Sequence, residues 1–174
     1  KYINLDEFPS DEIKNLDGVV SYADIVEDMT LLKYNNGGGN EDRQFVAKLK
    51  GVPQNYSKTS GIDTMLVDGT FMLSNQSGKY FGVAGLGVHN RLDMRLTNMF
   101  VPVYAYYPNR SQKGAVNAMN AMDAFRIESF YPSGVFRVQQ EYDDEIVYVA
   151  IEFARKLMQL DNQATSIELK VEDG

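Results

Sequence analysis

The sequence contains no cysteine and a single histidine, His89, among its 174 residues. Without cysteine the chain can form neither a disulfide framework nor a thiolate metal site, although this absence does not identify a compartment. Any Ser-His-Asp arrangement would depend on His89, and the sequence has no Gly-x-Ser-x-Gly motif to carry a hydrolase nucleophile. We therefore expect His89 to be a surface or partly packed helix residue, and we expect no catalytic residues.

Long hydrophobic runs are also missing. The most apolar segment, 99–107, is about ten residues shorter than a membrane-spanning helix requires. No Lys/Arg-rich amphipathic stretch indicates a helix that lies on a membrane surface. The chain begins at Lys1 without an apolar leader, which indicates a processed protein or an excised piece.

Basic residues are too few for nucleic-acid binding. The 24 acidic and 17 basic residues give a net charge of -7, whereas attraction to phosphate backbones needs clustered Lys and Arg. The content of 44% hydrophobic and 24% charged residues is instead typical of a globular domain with a substantial core. These numbers exclude a disordered chain and make nucleic acid a poor candidate partner.

The first third of the chain predicts a short helix and a long hairpin. Ser10 precedes a helical run at 11–16, and Gly18 ends it. Two apolar, β-branched runs at 19–34 and 43–52 flank a glycine-rich turn, which predicts a β-hairpin. The polar, turn-rich stretch 53–61 is a candidate subdomain boundary.

The remaining two-thirds predict alternating short elements. The pattern indicates a helical turn at 62–67, strands at 79–83, 99–106 and 125–130, a helix at 86–92 and a long polar loop at 107–123. It then predicts a strand at 145–150, a helix at 151–160 that places Phe153, Leu157 and Leu160 on one face, and a strand at 165–171 that places Ile167, Leu169 and Val171 on one side. The fold class is therefore α+β. We expect a discontinuous subdomain, 1–60 plus 145–174, that contains a βαβ unit, and an inserted β-rich subdomain, 61–144.

Three residue clusters invite functional interpretations that the patterns do not favour. Gly82, Gly85 and Gly87 lie between a strand and a helix, but their G-x-x-G-x-G spacing fits tight packing better than phosphate binding. The acidic run 141–145 lacks the alternate spacing and central glycine of a calcium loop, so a solvated turn is favoured. The eleven tyrosines and nine phenylalanines fall mostly at alternating strand positions, which favours core packing over a ligand cleft.

One ordered set of segments resembles a known family. Residues 125–135 read Phe-Arg-Ile-Glu-Ser-Phe-Tyr-Pro-Ser-Gly-Val; Glu-Tyr-Asp follows at 141–143, Ile-Val-Tyr-Val at 146–149 and Ala-Arg-Lys-Leu at 154–157. With segments 82–88 and 165–173, this order resembles the two-lobed MacB-like periplasmic core domain of ABC-transporter permeases. It is most similar to the lipoprotein-releasing, LolC/LolE-like branch of the FtsX-type permeases. Asp93-Met94-Arg95 departs from the family's usual Gly-Asp at that point.

The resemblance implies a domain without catalytic residues, cofactor or metal, on the periplasmic side of the bacterial inner membrane. It implies a cytoplasmic ATPase subunit, a second permease subunit, and a periplasmic lipoprotein carrier or lipoprotein cargo as partners. A MacB-type or cell-division-type ectodomain with other cargo, and a free-standing secreted binding domain, are the alternatives. In a permease, Lys1 and Gly174 should emerge at the same end of the domain, because both rejoin membrane helices.

The segment 104–123, between the strand that begins at residue 99 and the strand at 125–130, matches the family's projecting hairpin, which recruits the carrier in the lipoprotein-releasing branch. We expect it to bind a partner through exposed aromatic, basic and methionine side chains. The predicted contact residues are Tyr106, Tyr107, Pro108, Arg110, Lys113, Met119 and Met122. For Met119 and Met122, packing of the loop on its own domain is an equally compatible interpretation.

Overall fold

The computed structural model describes residues 2–35, 37, 42–97, 100–110 and 124–172. These residues form an α+β fold of short helices and longer strands. In chain order the elements are β1 (Ile3–Asn4), α1 (Ser10–Lys14), β2 (Val19–Tyr34), β3 (Arg43–Val52), α2 (Tyr56–Ser60), a 3-10 turn (Ile62–Met65), β4 (Leu66–Gly69), β5 (Phe81–Gly85), α3 (Leu86–Leu92), β6 (Val103–Pro108), β7 (Phe125–Phe136), α4 (Gln140–Asp143), β8 (Ile146–Ala150), α5 (Ile151–Met158), β9 (Gln163–Ala164) and β10 (Ser166–Val171).

One large sheet contains eight of these strands. Its order is β10-β2-β3-β8-β5-β7-β4, and β6 is hydrogen-bonded to both β2 and β7. Because β6 joins two strands that are distant in this order, the pairings β2-β3-β8-β5-β7-β6 close into a ring. The pairs β3–β8 and β5–β7 are parallel and the other pairs are antiparallel. The sheet thus has an inward and an outward face.

Helix α5 packs on the inward face. Its apolar residues recur three and four positions apart, which produces one apolar stripe on a helix. Phe153, Ala154, Leu157 and Met158 are all fully buried. Gly51 of β3 allows the close approach, since a Cβ at that position would overlap the Cβ of Ala154. The core therefore lies between α5 and the strands that curve around it.

The predicted hairpin and two predicted helices are confirmed. Strands β2 and β3 have the predicted bounds and pair antiparallel from Val26–Gly51 to Tyr34–Arg43. Helix α3 has the predicted bounds, and α1 begins one residue earlier than expected, with Pro9 instead of Ser10 at its N-cap. Strong local patterns determined these elements, so the sequence was sufficient to place them.

Three predicted boundaries were wrong. The polar stretch 53–61 contains helix α2, because Tyr56 is buried and anchors that turn of helix on the core. Strand β6 begins at Val103, four residues later than predicted. Strand β7 continues beyond the predicted end at residue 130 to Phe136, with a bulge in its pairing to β5 beside Pro132.

The structure joins the two ranges that the sequence analysis separated. Strand β5, from the range 61–144, lies between β8 and β7, and β6, from the same range, pairs with β2. The buried apolar residues of both ranges form one cluster. Both ranges therefore contribute to one sheet and one core, and the division into two subdomains stays a prediction.

The predicted strand-helix-strand unit is present, but its two strands are not neighbours in the sheet. Strands β8 and β10 run parallel, and β3 and β2 lie between them. Phe153, Leu157 and Leu160 are buried as predicted, whereas Leu169 and Val171 of β10 are exposed. Among the described residues, no helix combines the length and the apolar character that crossing a bilayer requires.

Candidate functional site

Strands β6 and β7 precede and follow segment 111–123, the main part of the predicted projection. These strands are antiparallel, and their last pair joins Pro108 to Phe125. Beyond that pair, the Asn109 N–H donates to the carbonyl oxygen of Ala124 over 2.8 Å. The two strands hold both ends of the segment side by side, as in a hairpin connection. The segment itself lies outside the described residues.

Three side chains form a hydrogen-bonded cluster at the base of this segment. Tyr107, which is 3% exposed, donates its hydroxyl proton to Asp28 Oδ2 over 2.6 Å. Arg110 Nη2 lies 3.3 Å from the same oxygen and also donates to the Tyr107 hydroxyl oxygen. We call Asp28, Tyr107 and Arg110 the root triad.

The root triad connects distant parts of the chain. The Arg110 guanidinium lies over the ring of Tyr2, 5.1 Å from its centroid. The backbone N–H of Arg110 donates to Gln159 Oε1, just beyond the end of α5, over 3.2 Å. Because Asp28 and Arg110 are both about 40% exposed, their ion pair adds little to stability. Its main effect is to fix the position of the segment's base relative to β2, α5 and Tyr2.

The four predicted contact residues that the structure describes, Tyr106, Tyr107, Pro108 and Arg110, do not share one exposed surface. Tyr106 and Pro108 point outward, whereas Tyr107 is buried against Asp28 and Arg110 is engaged by the root triad. The alternation of side chains along a strand separates Tyr106 from Tyr107, and it was available in the sequence. Among the predicted contacts, three lie outside the described residues: Lys113, Met119 and Met122.

Sequence reasoning missed Asp28, Tyr2 and Gln159 as partners of this site. Asp28 reaches Tyr107 because β6 pairs with β2, through Leu31–Tyr106 and Leu32–Ala105. These two strands are about 75 residues apart in the chain, and no local pattern specifies such a pairing. The partners of the triad therefore could not be found from spacing.

The glycine cluster serves close packing, as the sequence analysis favoured. A Cβ at Gly82 would meet the ring of Phe130, and a Cβ at Gly85 would lie 2.7 Å from the Cα of Asp143. Gly87 is similarly close to Asp144. The glycines thus let α3 and β5 approach their neighbours.

The acidic run forms α4 and the turn that leads into β8. Asp143 is buried, and its Oδ1 accepts from the Val138 N–H over 2.7 Å, so this carboxylate has a structural partner. Asp144 lies 3.6 Å from Arg91 Nη2. His89 is half-buried on α3 and contacts the side chain of Asn90 over 3.3 Å.

The termini were expected at one end of the domain, but Lys1 and Gly174 lie outside the described residues. The nearest paired residues are Ile3, opposite Ala164, and Val171, opposite Val19. Val171 follows Ala164 by seven residues of nearly continuous strand. Ile3, which pairs with Ala164, is therefore roughly 20 Å from Val171.

No protein-family model matches this chain, and no curated protein is significantly similar to it. Solved structures do match, with 20 similar chains, and two of them are described below. The extracellular domain of the noncanonical ABC-type transporter YknZ from Gram-positive bacteria superposes with a TM-score of 0.61 at 16% identity, covering 98% of this chain and 79% of that one. The chain has the fold of an ABC-transporter ectodomain.

The second match is the periplasmic region of MacB from Actinobacillus actinomycetemcomitans, with a TM-score of 0.57 at 15% identity. It covers 94% of this chain, and this chain spans 63% of that structure. The predicted α+β, MacB-like fold is therefore confirmed. At such identities the similarity defines the fold, and the lipoprotein-releasing branch stays a prediction.

We expect alkaline pH to destabilise the fold through three tyrosines. Burial raises the pKa of Tyr148 to about 12, and burial with a hydrogen bond to a carboxylate raises the pKa values of Tyr56 and Tyr107 further. In the unfolded chain these phenols ionise near pH 10. The folded state then holds more protons, so its stability is retained below about pH 10 and falls as pH rises above it.

Tyrosinate absorbance and circular dichroism, followed together from neutral pH upward, test this expectation. A fraction of the eleven tyrosines should ionise only when the fold is lost. Tyr107→Phe should weaken the pH dependence, and Tyr104→Phe, at a position 46% exposed, is the matched control. Ionisation of every tyrosine before any loss of dichroism would contradict the assignment.

Proposed function

We propose that this chain is the extracytoplasmic domain of an ABC-transporter permease that takes part in lipoprotein release from the bacterial inner membrane. The similarity of its fold to the YknZ and MacB domains supports the transporter part of the proposal. The ordered sequence segments at 82–88, 125–135, 141–149 and 154–157 support the lipoprotein-releasing branch. A cytoplasmic ATPase, a second permease subunit and a periplasmic carrier or lipoprotein cargo are the proposed partners.

The observation that carries the proposal is the root triad. It ties the base of segment 111–123 to β2, to the end of α5 and to Tyr2 near the start of the chain. A movement imposed near Tyr2 would therefore be passed through the root triad to β6, and from β6 to its paired strand β7. Such a connection suits a domain that transmits the work of an ATPase to a bound partner.

Segment 111–123, with Tyr106 and Pro108 at its base, is the proposed contact for the carrier. Arg110 and Tyr107 are proposed to hold that base in position, since their side chains are engaged within the domain. Lys113, Met119 and Met122 are proposed to meet the carrier, as a basic and adaptable apolar surface.

The complete gene product provides the test. We expect it to be recovered from membranes together with an ATPase subunit, and to capture a purified lipoprotein carrier. Replacing residues 111–122 with a Gly-Ser linker should reduce carrier capture at least about tenfold, because the central contacts of an interface dominate its affinity. ATPase association should persist in this variant.

A matched control replaces the other long hairpin connection, residues 36–41, with a Gly-Ser linker of equal length. Carrier capture should be unchanged in that control. Recovery of the gene product without membrane or ATPase would favour a free-standing secreted binding domain. Membrane recovery with capture unaffected by the 111–122 replacement would favour a MacB-type or division-type permease with other cargo.

A further inference from the structure

The outward face of four neighbouring strands carries an exposed apolar surface. Strand pairing aligns Val46 of β3, Leu31 of β2, Tyr106 of β6 and Ile127 of β7 in one row. Val46 is 50% exposed and Ile127 is 41% exposed, at opposite ends of the row. An apolar row that crosses four strands is unusual at a solvated sheet face, where polar side chains normally alternate with the core-facing ones.

On one side of this row lie the pairs Lys48–Met29 and Pro108–Phe125, and on the other side a further row is formed by Gln44, Lys33, Tyr104 and Ser129. We call these eight residues, together with Val46, Leu31, Tyr106 and Ile127, the outer patch. Eight of these twelve residues are apolar or aromatic. Met29, Phe125 and Tyr104 are each about 45% exposed, so the apolar surface is continuous and not a set of isolated side chains.

The charges of the outer patch have one sign. Lys33 and Lys48 lie on it, and none of its twelve positions is Asp or Glu, although the chain has a net charge of -7. Lys33 lies over the ring of Tyr106, 4.9 Å from its centroid. Within the part of the chain that the structure describes, neither lysine belongs to an ion pair. The two lysines are therefore available to carboxylates of another molecule.

A groove adjoins the patch on the side of Lys33. It has a volume of about 330 Å³, and its walls include Lys33, Tyr104, Tyr106, Pro102 and Phe100. Asp42 also lines the groove, where its Oδ1 accepts a hydrogen bond from Asn35 Nδ2 over 2.9 Å. A groove with aromatic walls next to a flat apolar face can receive one large side chain from a binding partner.

We propose that the outer patch is a docking surface for a protein whose apolar centre is bordered by carboxylates. Charge complementarity selects this occupant. A second copy would bring four lysines together without a carboxylate on either patch. An anionic membrane would repel a domain of net charge -7, and two lysines supply roughly 2 kcal/mol of attraction to such a surface.

This surface lies on β3, β2, β6 and β7 and does not include segment 111–123. The proposed carrier contact and the outer patch share only Tyr106 and Pro108, so the inference does not rest on segment 111–123. Lys48 lies on the strand next to that of Lys33, opposite a position four residues away from Lys33, so the two lysines are roughly 14 Å apart. Carboxylates on the partner should match that separation.

Binding of two matched amphipathic peptides to the full chain tests the proposal. Both peptides carry the same leucine face, bordered by glutamates in one and by lysines in the other. The glutamate peptide should bind at least about tenfold more tightly, and added salt should weaken its binding. Lys33→Glu with Lys48→Glu should reverse the preference, and Ile127→Glu should weaken both peptides at least about tenfold.

Two substitutions at exposed residues of other strands are matched controls: Lys170→Glu on β10 and Val67→Glu on β4. Val67 is 55% exposed. Neither should change the affinity for either peptide. Equal binding of both peptides, or no loss in Ile127→Glu, would overturn the proposal. Two further outcomes would overturn it. Concentration-dependent dimers that Ile127→Glu abolishes would show that a second copy occupies the patch. Binding to anionic phosphatidylglycerol vesicles that Ile127→Glu abolishes would show that a membrane does.

Discussion

Replacing Phe153 with alanine should lower the free energy of unfolding by about 3–5 kcal/mol. Phe153 is fully buried on α5, and its ring makes edge contacts with Phe130 and Tyr80 at centroid distances of 5.7 and 5.3 Å. The substitution removes the apolar transfer energy of the ring, leaves a cavity and breaks two aromatic contacts. Urea denaturation followed by circular dichroism measures the change.

Phe125→Ala is the matched control, because the same ring is removed from a position that is 45% exposed on β7. We expect its cost to be less than about 1 kcal/mol, as for most exposed substitutions. Similar losses for the two variants would mean that α5 does not form the centre of the core.

Replacing Gly69 with alanine should destabilise the fold by about 2–5 kcal/mol, the sum of a conformational and a steric cost. Gly69 has a φ of +73°, and a Cβ there would overlap the Ser133 carbonyl oxygen and lie 2.7 Å from the Cα of Gly134. Both contacts are to backbone, so no side chain can move aside. Strand β4 would have to separate from β7.

Gly78→Ala separates the two costs. Gly78 has nearly the same φ, +75°, but a Cβ there would meet nothing within 4 Å. Its loss of stability should therefore be the conformational part alone, about 1–2 kcal/mol. Denaturation midpoints of the two variants give the comparison, and equal losses would show that β4 and β7 are not in close contact at Gly69.

The Gly69 contact also explains why two small residues, Ser133 and Gly134, follow each other within β7. Ser133 and Gly134 lie inside β7, where the Ser133 hydroxyl donates to the carbonyl oxygen of Met72 over 2.8 Å and lies 3.1 Å from that of Gly82. Gly134 is opposite Gly69 in the pairing of β4 with β7. Ser133 and Gly134 are small because the backbones of β4 and β7 meet there. In a sequence, small residues required by close packing look the same as small residues required by a turn.

The root triad and the outer patch assign different roles to one pair of strands. On the inward side of β6, Tyr107 is bonded to Asp28 and holds the base of segment 111–123. On the outward side, Tyr104 and Tyr106 are part of the apolar surface. A partner bound to the patch would therefore contact the strands that hold the segment's base, so its binding and the segment's position should be coupled.

The sequence by itself determined the elements whose signal is local. The alternating runs at 19–34 and 43–52, and the apolar stripe of Phe153 and Leu157, fixed a hairpin and a buried helix, because strand and helix periodicities are properties of neighbouring residues. Composition and charge likewise determined a globular domain and argued against nucleic acid. The order of short segments also indicated the MacB-like fold.

The tertiary structure alone decided which distant residues meet. It closed the strand pairings into a ring through β6, joined the ranges 1–60 and 61–144 in one sheet, and placed Asp28 beside Tyr107 and Val46 in a row with Ile127. These contacts depend on pairings between strands far apart in the chain, whose register is set by packing against a shared core. A sequence pattern specifies which face of a strand is apolar, but the neighbours that complete a site on that face are fixed only when the whole sheet forms.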